Sequence, residues 1–193
     1  MIARLFRRGG ARRRTIEALH AAVSEAARRP TLYTGLAVPD TVEGRFECLC
    51  LHVILTLRRL NRSPPPAADV AQDLVDSVFR QLDASLRELG VGDLGVGKRM
   101  KKLGAAFYGR AAGYDAALAA EGDEALRAVL ARNVLGGAPD VEAAGLAAYV
   151  RAADATLGRT AFDMVIERGP PFPNPDPFVR GRAITDAITG EMA

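Results

Sequence analysis

Tryptophan is absent from this chain of 193 residues, and aromatic residues make up only 6% of it. That disfavours a sandwich or barrel built on large rings. With 49% hydrophobic residues, much of that alanine, the composition points to aliphatic helix packed on helix. Histidine and cysteine are scarce, with two of each. Cys48 and Cys50 stand two apart in a helical pattern, about 200° around the axis, so they neither share a metal nor pair locally. Packed thiols in a reducing cytosol are expected. His20 and His52 fall in different helices, His20 beside an apolar stripe where an ordinary packed histidine is expected. No spacing reads as a metal site or an axial haem ligand, and no nucleophile stands with a base, so neither an enzyme nor a metal or haem cofactor is expected. No apolar run approaches the roughly 18 to 20 residues that span a bilayer. Arginines interrupt Ile2, Leu5 and Phe6, which excludes a secretory signal.

Acid is missing from the first fourteen residues, which carry Arg4, Arg7, Arg8, Arg12, Arg13 and Arg14. Against a net charge of +3 for the whole chain, those six arginines leave residues 15 to 193 at −3. The basicity therefore belongs to an arm and not to the body. Such an arm is either a solvated terminus or a surface for anions: phospholipid headgroups, RNA or an acidic partner.

What is present is helical periodicity. Ile16, Leu19, Val23 and Ala26 recur at helical spacing over about 13–29. Residues 30–40, with two prolines and a glycine, break that pattern. Asp40, three before Glu43, is expected to cap a helix running from Val42 through Phe46, Leu49, Val53, Leu57 and Leu60. Leu51, Ile54 and Leu55 widen its apolar face, which predicts the most buried helix of the domain. After the rigid spacer SPPP, a helix over 68–89 turns Val70, Leu74, Val78, Leu82 and Leu86 inward. Its outer face pairs Asp76 with Arg80 and Asp83 with Arg87. Further helices are predicted over 99–120, 124–135, 139–157 and 160–167. In the first of these Met100, Leu103, Phe107, Tyr114 and Leu118 face inward, and Lys102, Arg110 and Asp115 outward. The fold class is all-α, a single-domain bundle of about seven helices. The run GPPFPNPDPF from Gly169 must be extended, with Phe172 and Phe178 as hooks onto the body, and a weak helix ends the chain. The expected division is a basic arm 1–14, a helical domain 15–168 and a proline-rich tail 169–193.

Gly90, Gly92, Gly95 and Gly97 form an elbow between the helices over 68–89 and 99–120, with Lys98, Arg99, Lys101 and Lys102 directly after it. The run contains G-x-G-x-x-G from residue 90 and G-x-x-x-x-G-K from residue 92. Both follow a charged helix where a phosphate loop needs a buried strand, and Arg99 stands where a magnesium-binding Ser or Thr would be required. Nucleotide binding is rejected. Two or more of the glycines are expected at positive φ, turning Val91, Leu94 and Val96 inward. The four cations fall at the positive end of a helix dipole, so either a bound anion or local acids, Asp93 and Glu88, compensate them.

Three blocks, LYTGLAVPDTVEGRFE at 32–47, LHVILTLRRL at 51–60 and FRQLDASLRELGVGDLGVGKRMKKLGAAFYGR at 79–110, resemble the ubiquinol–cytochrome c chaperone family of cytochrome bc1 assembly factors, over about residues 15–167. The resemblance implies a bacterial, non-enzymatic chaperone for newly made cytochrome b, peripheral to the cytoplasmic face of the inner membrane. It also implies a small co-chaperone and the ribosome exit region as partners, as for mitochondrial members. The alternative is a basic peripheral membrane or RNA-binding helical module unrelated to bc1 assembly; no specific nucleic-acid target is expected. Candidate partner-binding residues are Val38, Val42, Phe46, Lys98, Arg99, Lys101, Lys102, Phe107, Tyr108 and Arg110, of which the apolar ones suit a core equally well. The arginines of the arm are the candidate surface for an anionic membrane.

Overall fold

The computed structural model describes residues 9–88 and 90–179, and among them there is helix and no strand. The order is α1 (Gly9–Ala27), α2 (Pro30–Thr34), α3 (Val42–Asn61), α4 (Ala67–Glu88), α5 (Asp93–Ala119), α6 (Glu124–Asn133), a 3-10 turn (Asp140–Ala143), α7 (Ala144–Arg159), α8 (Phe162–Arg168) and a second 3-10 turn (Asp176–Phe178). One hydrophobic core runs through the bundle, and α3 sits inside it, against α1, α4 and α7.

The most buried helix expected from the sequence is indeed α3. Thr41 rather than Asp40 caps it, accepting from the Gly44 N–H at 3.0 Å, while Asp40 pairs with Arg45 at 2.6 Å. From Cys50 to Thr56 every residue is buried. The polar members of that run are satisfied internally. Thr56 donates to the His52 carbonyl at 2.9 Å. The Nδ1 of His52 lies 2.8 Å from the Cys48 carbonyl, which can only accept, so Nδ1 carries the proton; Nε2 then accepts from the Tyr149 hydroxyl at 2.8 Å. Burial holds this imidazole neutral, its pKa lowered to about 4. The same desolvation pushes the free thiols of Cys48 and Cys50 up to about 12, so both are packed and inert.

Residues 169–179 close over this network as a strap, extended at first and ending in the 3-10 turn Asp176–Phe178 where the sequence predicts extended chain throughout. Phe172 is buried with its ring 4.7 Å from that of His52, and Phe178 stands edge-on to Tyr149 at 5.8 Å. Arg29, at the N-cap of α2, donates to the carbonyls of Phe172 and Pro173, and Thr31 donates to Asp176. The hooks predicted at Phe172 and Phe178 are present; residues 180–193, where a weak helix was expected, lie outside the described residues. On the far side, Arg58 ties α3 to α7 through Asp154 at 2.9 Å and to α5 through Asp115.

Two expectations change, one at the N-terminal region and one at the glycine elbow. Helix α1 begins at Gly9, so Arg12, Arg13 and Arg14 stand in its first turns, where Arg12 pairs with Asp73 of α4 and Arg13 with Glu17 at 3.4 Å. Arg4, Arg7 and Arg8 lie outside the described residues. The elbow is also shorter than expected. Of its four glycines only Gly90 has positive φ (78°), because α5 starts at Asp93 and takes Gly95 and Gly97 into helix, with Gly92 an extended N-cap. Gly90 N–H reaches the Arg87 carbonyl (2.9 Å) and Val91 N–H the Leu86 carbonyl (3.1 Å), the paired bonds of a Schellman closure. Val96 is buried as expected, but Leu94 is 95% exposed. Lys98 now falls in the second helical turn, where the dipole is weak, and Asp93 pairs with Arg87 rather than with the lysines.

Gly90→Ala should destabilise by about 1 kcal/mol in urea unfolding, while Gly97→Ala, inside α5 and exposed, should stabilise by about 0.5 kcal/mol. The reverse order would contradict this placement of the turn. His52 yields a pH dependence. Its folded pKa is depressed, so its contribution is fully present above about pH 6.5 and is lost as pH falls towards about 4. Between pH 7 and pH 4.5 the wild type should lose about 2 kcal/mol more than His52→Gln. Equal losses would show that the histidine is not held neutral.

Candidate functional site

The first turns of α3, the last turns of α4 and the middle of α5 do not close on one another. They leave an open groove of about 450 Å³. Its walls follow from helical spacing: Val42 and Phe46 from α3, Leu82 and Leu86 from α4, Leu103 and Ala106 from α5. The lining is mainly carbon, and Val42 at its mouth is 76% exposed. Gly44 fixes the α3 wall. A Cβ there would stand 2.0 Å from the Pro39 carbonyl oxygen, so only glycine lets the chain before α3 fold against its first turn and present Val42 and Phe46 on the groove side.

Charge sits at the edges. Arg99 and Lys102 line one rim and are exposed, and Glu43 lines the opposite one. At the inner end Arg110 pairs with Glu47, with side-chain exposures of 21% and 13%. Desolvation raises the Glu47 pKa in spite of the guanidinium beside it. Glu47 Oε2 and Arg110 Nε are buried with no hydrogen-bond partner. The pair therefore costs desolvation that one contact does not fully offset. A larger cavity, about 640 Å³ between α1 and α4, is lined by Arg12, Arg13 and Arg80 against Glu17, Asp73 and Asp76. Its balanced charges favour no class of partner.

The structure brings together five of the ten candidate partner-binding residues: Val42, Phe46, Arg99, Lys102 and Arg110. Arg110, expected to face outward, instead turns in to meet Glu47, since α5 crosses the start of α3 at that level. Val38 and Phe107 are 2% exposed and belong to the core, Phe107 packing edge-on against Phe79 at 5.7 Å. Lys98, Lys101 and Tyr108 lie on another face of α5. Sequence reasoning missed Leu82, Leu86, Leu103 and Ala106 as groove residues, because inward spacing looks the same for a closed core and an open cleft. It also missed the contact of His52 with Tyr149, which lies 97 positions away with no local signal.

Arg110→Leu alone should destabilise by about 2 kcal/mol in urea unfolding, since it leaves the Glu47 carboxyl buried without its partner. The double change Glu47→Leu with Arg110→Leu should lie within about 1 kcal/mol of wild type. A single variant as mild as the double would show that water already satisfies the pair.

No helix among the described residues is long and apolar enough to cross a membrane. The profile of the family described as Ubiquinol-cytochrome C chaperone matches residues 34–172, which takes in α3 to α8, the whole groove and the strap as far as Phe172. Among solved structures, the crystal structure of the Cbp3 homolog from Brucella abortus superposes with a TM-score of 0.80 at 38% identity, covering 91% of this chain and 98% of that one. No curated protein sequence matches significantly. With a profile match over most of its length and a bacterial relative of the same all-helical fold, the chain belongs to the ubiquinol–cytochrome c chaperone family.

Proposed function

We propose that this bc1 assembly chaperone is non-enzymatic and shields newly made cytochrome b, working at the cytoplasmic face of the inner membrane and holding one apolar helix face of its client in the groove between α3, α4 and α5. The observation that carries the reading is the groove itself: an open, mainly apolar cleft in a chain whose other apolar side chains are largely packed. A membrane helix waiting in water exposes apolar surface at about 25 cal/mol per Å². Covering one stripe of it lowers that cost without enclosing the helix, which suits a client that must later be released. The rim cations Arg99 and Lys102 form no ion pair among the described residues and are available to polar groups flanking such a segment.

The test is a reduced-minus-oxidised spectrum of membranes from a bacterial strain lacking the gene, rescued with wild type, with Val42→Asp/Leu103→Asp, or with Val141→Asp as an exposed apolar control. The bc1 cytochrome b signal should return with wild type and the control and stay low with the groove variant, whose helicity and Tm stay close to wild type. Full rescue by the groove variant would remove the groove from the account. An unchanged spectrum in the deletion strain would remove cytochrome b.

A further inference from the structure

We propose that the outward face of α5 is a membrane-contact surface that lies on anionic phospholipid headgroups. Leu94, Lys98, Lys101, Ala105, Tyr108 and Ala112 recur at steps of four and three along α5, and all are exposed. Over the 18 steps from Leu94 to Ala112 the stripe runs about 27 Å. It carries no acid, and the nearest ones on the helix are engaged elsewhere, Asp93 with Arg87 and Asp115 with Arg58. Lys98 and Lys101 form no ion pair among the described residues. Two of the few large hydrophobic side chains left in water bracket them, Leu94 at 95% and Tyr108 at 60% exposure.

Tyr108 rests edge-on against Phe107 at 5.6 Å, yet both side chains stay largely open to water, and their combination with lysine matches one environment closely. At a bilayer surface a leucine can enter the acyl boundary and a tyrosine can hold its ring there with its hydroxyl among headgroups. The lysines meet lipid phosphates. A nucleic acid would use the lysines but leave the leucine without a role. The groove residues Arg99, Leu103, Ala106 and Arg110 lie about 150° around the same helix. An α5 lying on the bilayer therefore turns its groove side away from the membrane surface and does not bury it there. The inference deepens the peripheral placement proposed above by naming the surface responsible. It is tested without client, so its failure leaves the groove reading standing.

The absence of tryptophan makes the test direct, because Tyr108→Trp introduces a single fluorescent reporter into the full chain. Its emission should shift to shorter wavelength with vesicles of equal parts phosphatidylglycerol and phosphatidylcholine, not with phosphatidylcholine alone, and the shift should reverse in high salt. A Val141→Trp reporter should not shift. Adding Lys98→Glu and Lys101→Glu should weaken vesicle partitioning at least about tenfold with helicity unchanged. Four results would overturn the proposal: no vesicle binding; equal binding to both vesicle types; binding that leaves residue 108 in water and ignores the lysine reversal, which would point to Arg4, Arg7 and Arg8; or a larger shift with RNA than with vesicles.

Discussion

Seven consecutive residues of α3, Cys50 to Thr56, are out of solvent, and that is the constraint on which the architecture rests. A helix surrounded on all sides needs neighbours on all sides, which α1, α4 and α7 supply. It must also satisfy its polar side chains without water. His52 does so as a neutral imidazole, donating to Cys48 and accepting from Tyr149, and Phe172 of the strap seals the ring from solvent. The family match runs to residue 172, so it includes the side chain that completes this seal. At its start the surrounding bundle stops, and the turn carrying Val42 and Phe46 is left as one wall of a cleft.

Helix α5 supplies another wall of that cleft. One side, Val96, Phe107, Tyr114 and Leu118, enters the core; a second, from Arg99 to Arg110, faces the groove; a third, from Leu94 to Ala112, faces water. Lys98, Arg99, Lys101 and Lys102 are one basic run in sequence but are divided between the second and third sides. The proposed client-holding and lipid-contact surfaces thus belong to one helix, which sets their relative orientation.

The helices were legible because their apolar residues recur at 3.6-residue spacing over long stretches. The strap was legible because five prolines in ten residues exclude a regular helix or a paired strand, although its last residues, Asp176–Phe178, form a 3-10 turn where extended chain is the expectation. The elbow was read too broadly. Four glycines suggest four special backbone positions, yet once α5 begins at Asp93 only Gly90 needs a left-handed conformation. The groove was half legible. Val42, Phe46, Arg99, Lys102 and Arg110 were selected, but Val38 and Phe107 with them, because periodicity reports which way a side chain points and not whether another element arrives to cover it. The bond between His52 and Tyr149 could not be read from either residue's neighbours, since only the packing of α7 on α3 creates it.

The most direct measurement is site-specific photo-crosslinking during synthesis of cytochrome b. A photoreactive amino acid is placed in turn at Val42 and at Leu103 in the groove, and at Val141 as an exposed apolar position outside it. The account predicts adducts with newly made cytochrome b from both groove positions and none from Val141. Equal labelling from all three positions, or labelling from Val141 alone, would contradict the assignment of the cleft between α3, α4 and α5 as the client-holding site.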